Sequence, residues 1–163
     1  MITPPKITPF LWYGGDAEQA AEFDVSLIPD SRIVDVQRQG DAAFVVSFEL
    51  AGVSFTAMNG GPGRRHTEAF SIAVTCEDQA EVDRLWAAFT GGGKEVQCGW
   101  LVDRFGLSWQ IVPKRFFQLM GAGTPEQSHR VMQAAMEEVG QPDDVPFDGQ
   151  RMIFGGFETI LEA

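Results

Sequence analysis

Few side chains in this sequence are equipped for chemistry, and their spacing limits which reactions are within reach. Cys76 and Cys98 form no Cys-x-x-Cys or Cys/His pattern, so they read as two reduced, half-buried thiols rather than as metal ligands. Nucleophilic catalysis needs a Ser or Cys, a base and an orienting group, and the chain has 2 histidines to supply the base. His66 lies in the polar run Gly63-Arg64-Arg65-His66-Thr67-Glu68, and His129 lies in the first turns of a late helix, facing away from its apolar stripe. Both read first as solvated residues. His66 is the better functional candidate, because its loop leads directly into a strand and toward the mouth of a cleft. Arg64 and Arg65 read as solvated charges or as a meeting point for an anionic ligand.

Composition narrows the classes further. The chain has 163 residues, 44% of them hydrophobic, with 13 Phe and 4 Trp, enough apolar surface to offset chain entropy and exclude a disordered protein. Its 23 acidic and 12 basic side chains leave a net charge of -11, which argues against nucleic acid, whose phosphates demand clustered Lys and Arg. No apolar run approaches the ~20 residues that span a bilayer, and the N-terminal residues lack a signal-peptide core. A cytoplasmic, single-domain protein with no membrane partner is expected.

The elements that must position any site follow from periodicity. Lys6 to Tyr13 alternates as a strand, Gly14-Gly15 and the cap-like Asp16 introduce a helix carrying Ala17, Ala20, Ala21, Leu27 and Ile28, and Pro29-Asp30-Ser31 ends it. Strands are expected over Arg32 to Arg38, Ala43 to Leu50 and Val53 to Met58, followed by the breaker Asn59-Gly60-Gly61-Pro62-Gly63. The second half repeats the βαβββ order. Ala69 to Cys76 is a strand; Asp78 and Glu81 form a capping box before the stripe Val82, Leu85, Trp86 and Phe89; Gly91-Gly92-Gly93 stops the helix. Three short strands follow, from Lys94 to Cys98, Gly99 to Asp103 and Leu107 to Val112. The two modules span about 5–60 and 69–113, and an extension covers about 114–163. In the extension, Lys114 to Met120 is amphipathic, and Thr124-Pro125-Glu126-Gln127 starts a helix running to about Val139 with Val131, Met132, Ala135 and Met136 on its apolar side. Pro142 to Pro146 is a linker, and the apolar tail Met152 to Phe157 packs either on its own domain or against a second subunit. Asp24, an acid amid apolar neighbours, is expected to reach solvent on a slightly rotated helix; buried, it would need a partner or carry a raised pKa.

Several segments stand out together: Ile7-Thr8-Pro9-Phe10-Leu11-Trp12-Tyr13, Asn59-Gly60-Gly61-Pro62, Glu81-Val82-Asp83-Arg84-Leu85-Trp86, and Cys98-Gly99-Trp100-Leu101-Val102-Asp103-Arg104-Phe105-Gly106-Leu107-Ser108-Trp109-Gln110. In this order and spacing the chain resembles the 3-demethylubiquinone-9 3-methyltransferase-like (PhnB-like) family of the glyoxalase/bleomycin-resistance/extradiol-dioxygenase, or vicinal oxygen chelate, superfamily. The resemblance covers roughly residues 5 to 140. It implies an α+β, glyoxalase-like fold of two βαβββ modules forming curved mixed sheets, here with a C-terminal helical extension, and it implies a homodimer.

Enzymes of this superfamily hold a divalent metal on the concave side of the sheets, and the resemblance places the ligand positions near Thr8, Phe55, Ser71 and Gln110. Only Gln110 is a usual ligand type, so no metal and no other cofactor is expected. Methyl transfer from S-adenosylmethionine usually uses a Gly-rich strand-to-helix turn, and Gly14-Gly15 has the placement without the G-x-G-x-x-G spacing. Strand alternation puts Ile7, Leu11, Ile72, Val74, Trp109 and Ile111 on the helix-covered side. It leaves Thr8, Phe10, Trp12, Phe55, Ala57, Asn59, Ser71, Ala73, Ser108 and Gln110 for the concave side. The expected pocket therefore has walls of Phe10, Trp12, Phe55, Met58 and Trp100, with Thr8, Asn59, Ser71 and Gln110 as hydrogen-bonding groups. Its expected role is to sequester a small planar or aromatic molecule without chemistry. Two alternatives stay open: a lyase, isomerase or methyltransferase-like enzyme using the same cleft, with or without a weakly bound divalent metal, and a structural homodimer whose aromatics fill the cleft.

Overall fold

The computed structural model describes residues 5–136, 147–148 and 151–152. The chain divides into two compact units, Met1–His66 and Thr67–Ala163, and the boundary falls in the polar loop between the two expected modules.

The first unit runs β1 (Phe10–Tyr13), α1 (Ala17–Leu27), β2 (Arg32–Gln39), β3 (Ala42–Leu50) and β4 (Val53–Asn59). Its sheet has the order β1-β4-β3-β2, with β1 parallel to β4 and the other pairs antiparallel. The strand expected from Lys6 begins only at Phe10. Pro9 has no N–H to give the ladder, although its carbonyl accepts from Thr56 N at 3.0 Å. Ile7, expected on the covered side, is 85% exposed. Ala17, Ala20, Ala21 and Asp24 are the buried residues of α1, at i, i+3, i+4 and i+7, and the three methyl side chains let the helix close over the sheet. Asp24 therefore does not reach solvent as expected. It is 1% exposed, because it sits on the alanine stripe itself.

The second unit begins with β5 (Ile72–Cys76), α2 (Gln79–Thr90), β6 (Lys94–Glu95), β7 (Trp100–Val102) and β8 (Ser108–Pro113). The sheet order is β5-β8-β7-β6, and β5 is parallel to β8, so both units share one topology and the repeat is real. Asp78 caps α2 by accepting from Glu81 N at 2.8 Å, and the Glu81 carboxylate accepts from Glu77 N at 2.8 Å. Val82, Leu85, Trp86 and Phe89 are all buried, and Phe89 stacks on Trp109 with ring centroids 4.3 Å apart. Both cysteines are free and buried. Burial first, and then the neighbouring Glu81 carboxylate, push the Cys76 thiol up to about 12, so it carries no thiolate at neutral pH.

The extension folds onto this second unit as α3 (Lys114–Ala122), α4 (Pro125–Met136) and a two-stranded pair, β9 (Phe147–Asp148) with β10 (Arg151–Met152). Thr124 and Gln127 cap α4 reciprocally: Thr124 N donates to Gln127 Oε1 at 2.8 Å and Gln127 N donates to Thr124 Oγ1 at 3.3 Å. Val112, Phe116, Leu119, Val131 and Met152 form a buried cluster. Arg151 pairs with Asp83 at 3.0 Å, and Gln79 Nε2 donates to Met152 O at 3.3 Å. The first residue of the apolar tail thus packs within its own chain. The Pro142 to Pro146 linker, the helix end at Val139 and residues 153–157 of the tail lie outside the described residues. Among the described residues, no helix is long and apolar enough to cross a membrane.

Candidate functional site

Each sheet has one face covered by the helix of its own βαβββ unit, α1 or α2, and the register decides which side chains reach the other face, which in the first unit is helix-free. In the first unit, β1 places Leu11 and Tyr13 toward α1, both buried, and Phe10 and Trp12 on the other side. Laterally paired residues share a face. The pairs Phe10 with Thr56 and Trp12 with Met58 therefore put Thr56 and Met58 on the helix-free face. Leu11 with Ala57, Tyr13 with Asn59 and Phe48 with Phe55 put Ala57, Asn59 and Phe55 on the helix-covered face.

Two expected site residues are corrected by this. Phe55 is a core residue, 6% exposed and stacked on Phe48 at 5.5 Å between centroids. Asn59 is a structural staple. Its Oδ1 accepts from Ala17 N at 2.9 Å and its Nδ2 donates to Ala43 O at 3.0 Å, joining the start of α1 to both β3 and β4. Asp16, which looked like the cap of α1, makes no side-chain cap bond. The facing expected for β4 was displaced by one residue, and in a strand such a slip moves every side chain to the opposite face. Met58 cannot share a face with Phe55 and Asn59, since their positions differ in parity, and that was the signal available in the sequence. Thr56 and Ser54 are the polar residues this missed. Thr8 precedes β1 and belongs to no ladder, so alternation does not set its facing. We predict that Asn59→Ala lowers stability by about 2 kcal/mol, since it orphans one donor and one acceptor. Asn59→Asp, which keeps only the acceptor, should cost less. Urea denaturation checks both; unchanged stability would return Asn59 to the list of ligand-contacting residues.

Trp12 is half-buried against its own loop. Its Nε1 donates to Gly61 O at 2.9 Å, and the Arg64 guanidinium carbon lies 4.9 Å from its ring centroid. A Cβ on Gly60 would overlap the indole, so Gly60 has to be glycine there. The Asn59-Gly60-Gly61-Pro62 motif is thus the seat of Trp12. Phe10, one repeat along the strand, is 58% exposed. His66 stacks edge-on to Tyr13, with centroids 4.9 Å apart, which ties it to the helix-facing tyrosine rather than to Phe10 and Trp12. His129 is exposed on α4.

The second unit brings three of the expected residues together. Trp100 pairs with Gln110 across β7 and β8, and Gln110 Nε2 donates to Ser71 Oγ at 2.7 Å, so Ser71, Trp100 and Gln110 meet on the face opposite α2, whose Val112 end packs with Phe116, Leu119 and Val131 of α3 and α4. Trp109 and Ile111 alternate onto the helix side and are fully buried. Ser108, on the same face as Gln110, is 1% exposed, and its hydroxyl has no hydrogen-bond partner among the described residues. The motif from Cys98 to Gln110 is chiefly structural. The buried Asp103 carboxylate accepts from Phe105 N at 2.8 Å, Leu107 N at 3.0 Å and Trp109 Nε1 at 2.8 Å, closing the β7–β8 turn.

These residues do not suit the groups that the fold and family name imply. Of the four metal positions, Phe55 has no donor atom and faces the helix, and Thr8, Ser71 and Gln110 are neutral hydroxyl and amide groups. Among the described residues, no group of three or more His, Cys, Asp or Glu side chains could hold a metal ion. A nucleotide-like methyl donor usually lies at the crevice of a βαβ crossover in a doubly wound parallel sheet. Here α1 leads from β1 into a strand at the opposite edge of the sheet, with β4 and β3 between them, and β2 runs antiparallel to its one neighbour.

Comparison with known proteins agrees with this architecture. The family profile of 3-demethylubiquinone-9 3-methyltransferase matches residues 5–112. The structure of a PhnB protein from Bacillus cereus is 30% identical, with a TM-score of 0.62, covering 67% of this chain and 99% of that one. A protein from Pseudomonas aeruginosa shares the fold at 18% identity and a TM-score of 0.58, covering 68% and 98% of the two chains. The fosfomycin resistance protein FosX from Listeria monocytogenes, solved with Mn(II) and 1S,2S-dihydroxypropylphosphonic acid, shares it at 17% identity and a TM-score of 0.50, covering 78% and 98%. A search of curated proteins gives no match. The profile match ends within β8, before α3, α4 and the β9–β10 pair. With its repeated βαβββ units, its tryptophan seated on Asn59-Gly60-Gly61-Pro62 and its aspartate-closed turn, the chain belongs to the 3-demethylubiquinone-9 3-methyltransferase (PhnB-like) family.

Proposed function

We propose that this protein binds a planar or aromatic small molecule on the sheet faces opposite α1 and α2, without a tightly held metal. The observation that carries this reading is Phe10. It is a large apolar side chain left 58% exposed on a face that also presents Trp12 and Met58, with Ser54 and Thr56 beside them. Aromatic walls with a few placed polar groups are the usual composition of a small-molecule site. Ser71, Trp100 and Gln110 give the second unit the same mixture. The Ser71–Gln110 bond uses one amide hydrogen and leaves the amide oxygen and the serine proton to orient a guest.

A competing account is that the aromatics are structural, and the Trp12 bond to Gly61 O favours it for that residue. Phe10 separates the two. A thermal-shift screen against planar aromatics and quinone-like compounds should find ligands that raise the melting temperature by several degrees. Phe10→Ala should leave the ligand-free melting temperature nearly unchanged, because so much of the ring is already in water, yet abolish the shift. A screen in which no compound stabilises the protein, or one whose hits stabilise Phe10→Ala equally, would overturn the reading.

A further inference from the structure

The helix-free face of the first unit has a cationic end. Arg64 leaves the glycine loop and lays its guanidinium against Trp12, 4.9 Å from ring carbon plane centroid to Cζ, while remaining an exposed residue. Stacking on an aromatic ring engages the face of a guanidinium and leaves its in-plane N–H fork unspent. Among the described residues Arg64 enters no ion pair. The carboxylates of the same face do not neutralise it. Glu49 is held by Arg32 at 2.8 Å, and Asp35 stands on β2, three strand spacings or ~14 Å across the sheet from β1. Next to Trp12 along β1 comes Phe10, at ~7 Å for two residues of strand, with Met58 and Thr56 on the neighbouring strand. An exposed ring and a thioether thus flank Trp12 on the face where the guanidinium stacks.

We propose that Arg64 is the anion-recognition residue of this face, and that the ligand class it selects is a planar aromatic carboxylate, with the ring on Phe10 and Met58 and the carboxylate on the Arg64 fork. This inference rests on the ligand-binding reading above and narrows it. In a protein carrying a net charge of -11, an anion is not drawn in by the overall field, so selectivity for one must come from a short-range contact. A planar fork supplies that contact with geometry as well as charge.

The test is isothermal titration of the full chain with naphthoate and with naphthamide, its neutral isostere. The wild-type protein should bind naphthoate about tenfold more tightly, the factor equivalent to one charge-assisted hydrogen bond of ~1.4 kcal/mol. Arg64→Gln should abolish that preference by weakening naphthoate far more than naphthamide, Arg64→Lys should retain part of it, and Arg65→Gln should retain all of it. Equal binding of the two probes by the wild type, a preference that survives Arg64→Gln, or one that Arg65→Gln removes just as fully would each overturn the proposal while leaving the ligand-binding reading intact. Binding of neither probe would overturn the aromatic-acid class, and the thermal-shift screen then decides the broader reading separately.

Discussion

Replacing Asp103 by alanine should destabilise the protein by ~3–5 kcal/mol, the largest loss expected from any substitution considered for this chain. The side chain is 3% exposed and accepts three hydrogen bonds. Two of the donors belong to Leu107 and Trp109, which have no exposed surface, so truncation leaves buried N–H groups that water cannot reach. Each such orphan costs ~1–3 kcal/mol, and bonds to a charged acceptor lie at the strong end. The turn itself is tight: Gly106 N donates to Asp103 O at 3.0 Å and Asp103 N donates to Leu107 O at 2.9 Å. Without the carboxylate, β7 and β8 lose the clamp that fixes Trp100 opposite Gln110. Urea denaturation followed by tryptophan fluorescence would measure this. Asp103→Asn should cost less, since one oxygen remains, but its amide would confront the Trp109 N–H. Adding Trp109→Phe removes that donor, so the double variant should be less destabilised than the sum of the singles. A loss below ~1 kcal/mol for Asp103→Ala would contradict the clamp.

Gly93→Ala is the second large effect, at about 3 kcal/mol. A Cβ at this position would run into the Val102 carbonyl oxygen and come within 2.9 Å of Phe89 O and 3.0 Å of the Asp103 carbonyl carbon. All three are backbone atoms of α2 and of the β7–β8 corner, so none can rotate away. Its two neighbours set the scale. Gly92 has φ +81 and room for a methyl at 3.4 Å from Arg104 Cβ, so alanine there incurs mainly the left-handed backbone penalty of ~1–2 kcal/mol. At Gly91 a Cβ would lie 3.3 Å from Ala87 O, a mild crowding. Chemical denaturation of the three single variants should rank Gly93 as most damaging and Gly91 as least; equal losses would refute the close-approach argument.

The glycine run shows how far the residues speak for themselves. Three consecutive glycines announce the end of α2, and the helix does end there, but nothing in the run distinguishes the glycine that must be small from the one that must be left-handed. The same division holds at α1. Ala17, Ala20, Ala21 and Asp24 fall at helical spacing, and the periodicity alone places Asp24 inside; the expectation that an acid seeks solvent pointed the other way, and geometry prevailed. In the most specific motif, Asp103, Gly106 and Trp109 are recognisable as a set, yet their role as acceptor, turn and donor emerges only when the turn closes.

What the amino-acid sequence determined by itself was everything set by short range: the βαβββ order and its repetition, the capping boxes at Asp78 and Thr124, the buried stripe of α2, and the family to which these motifs belong. Caps, turns and periodicities act over a few residues, so they are written where they operate. The tertiary structure alone decided the facing of β4, because strand register is a long-range property and a displacement of one residue reverses both faces. It moved Phe55 into the core, turned Asn59 from a ligand contact into the cap of a helix 42 positions away, and brought Arg64 onto Trp12. The side chains left on the helix-free face, Phe10, Trp12, Met58 and Thr56, were selected by hydrogen bonds between strands far apart in the chain, which no local pattern records.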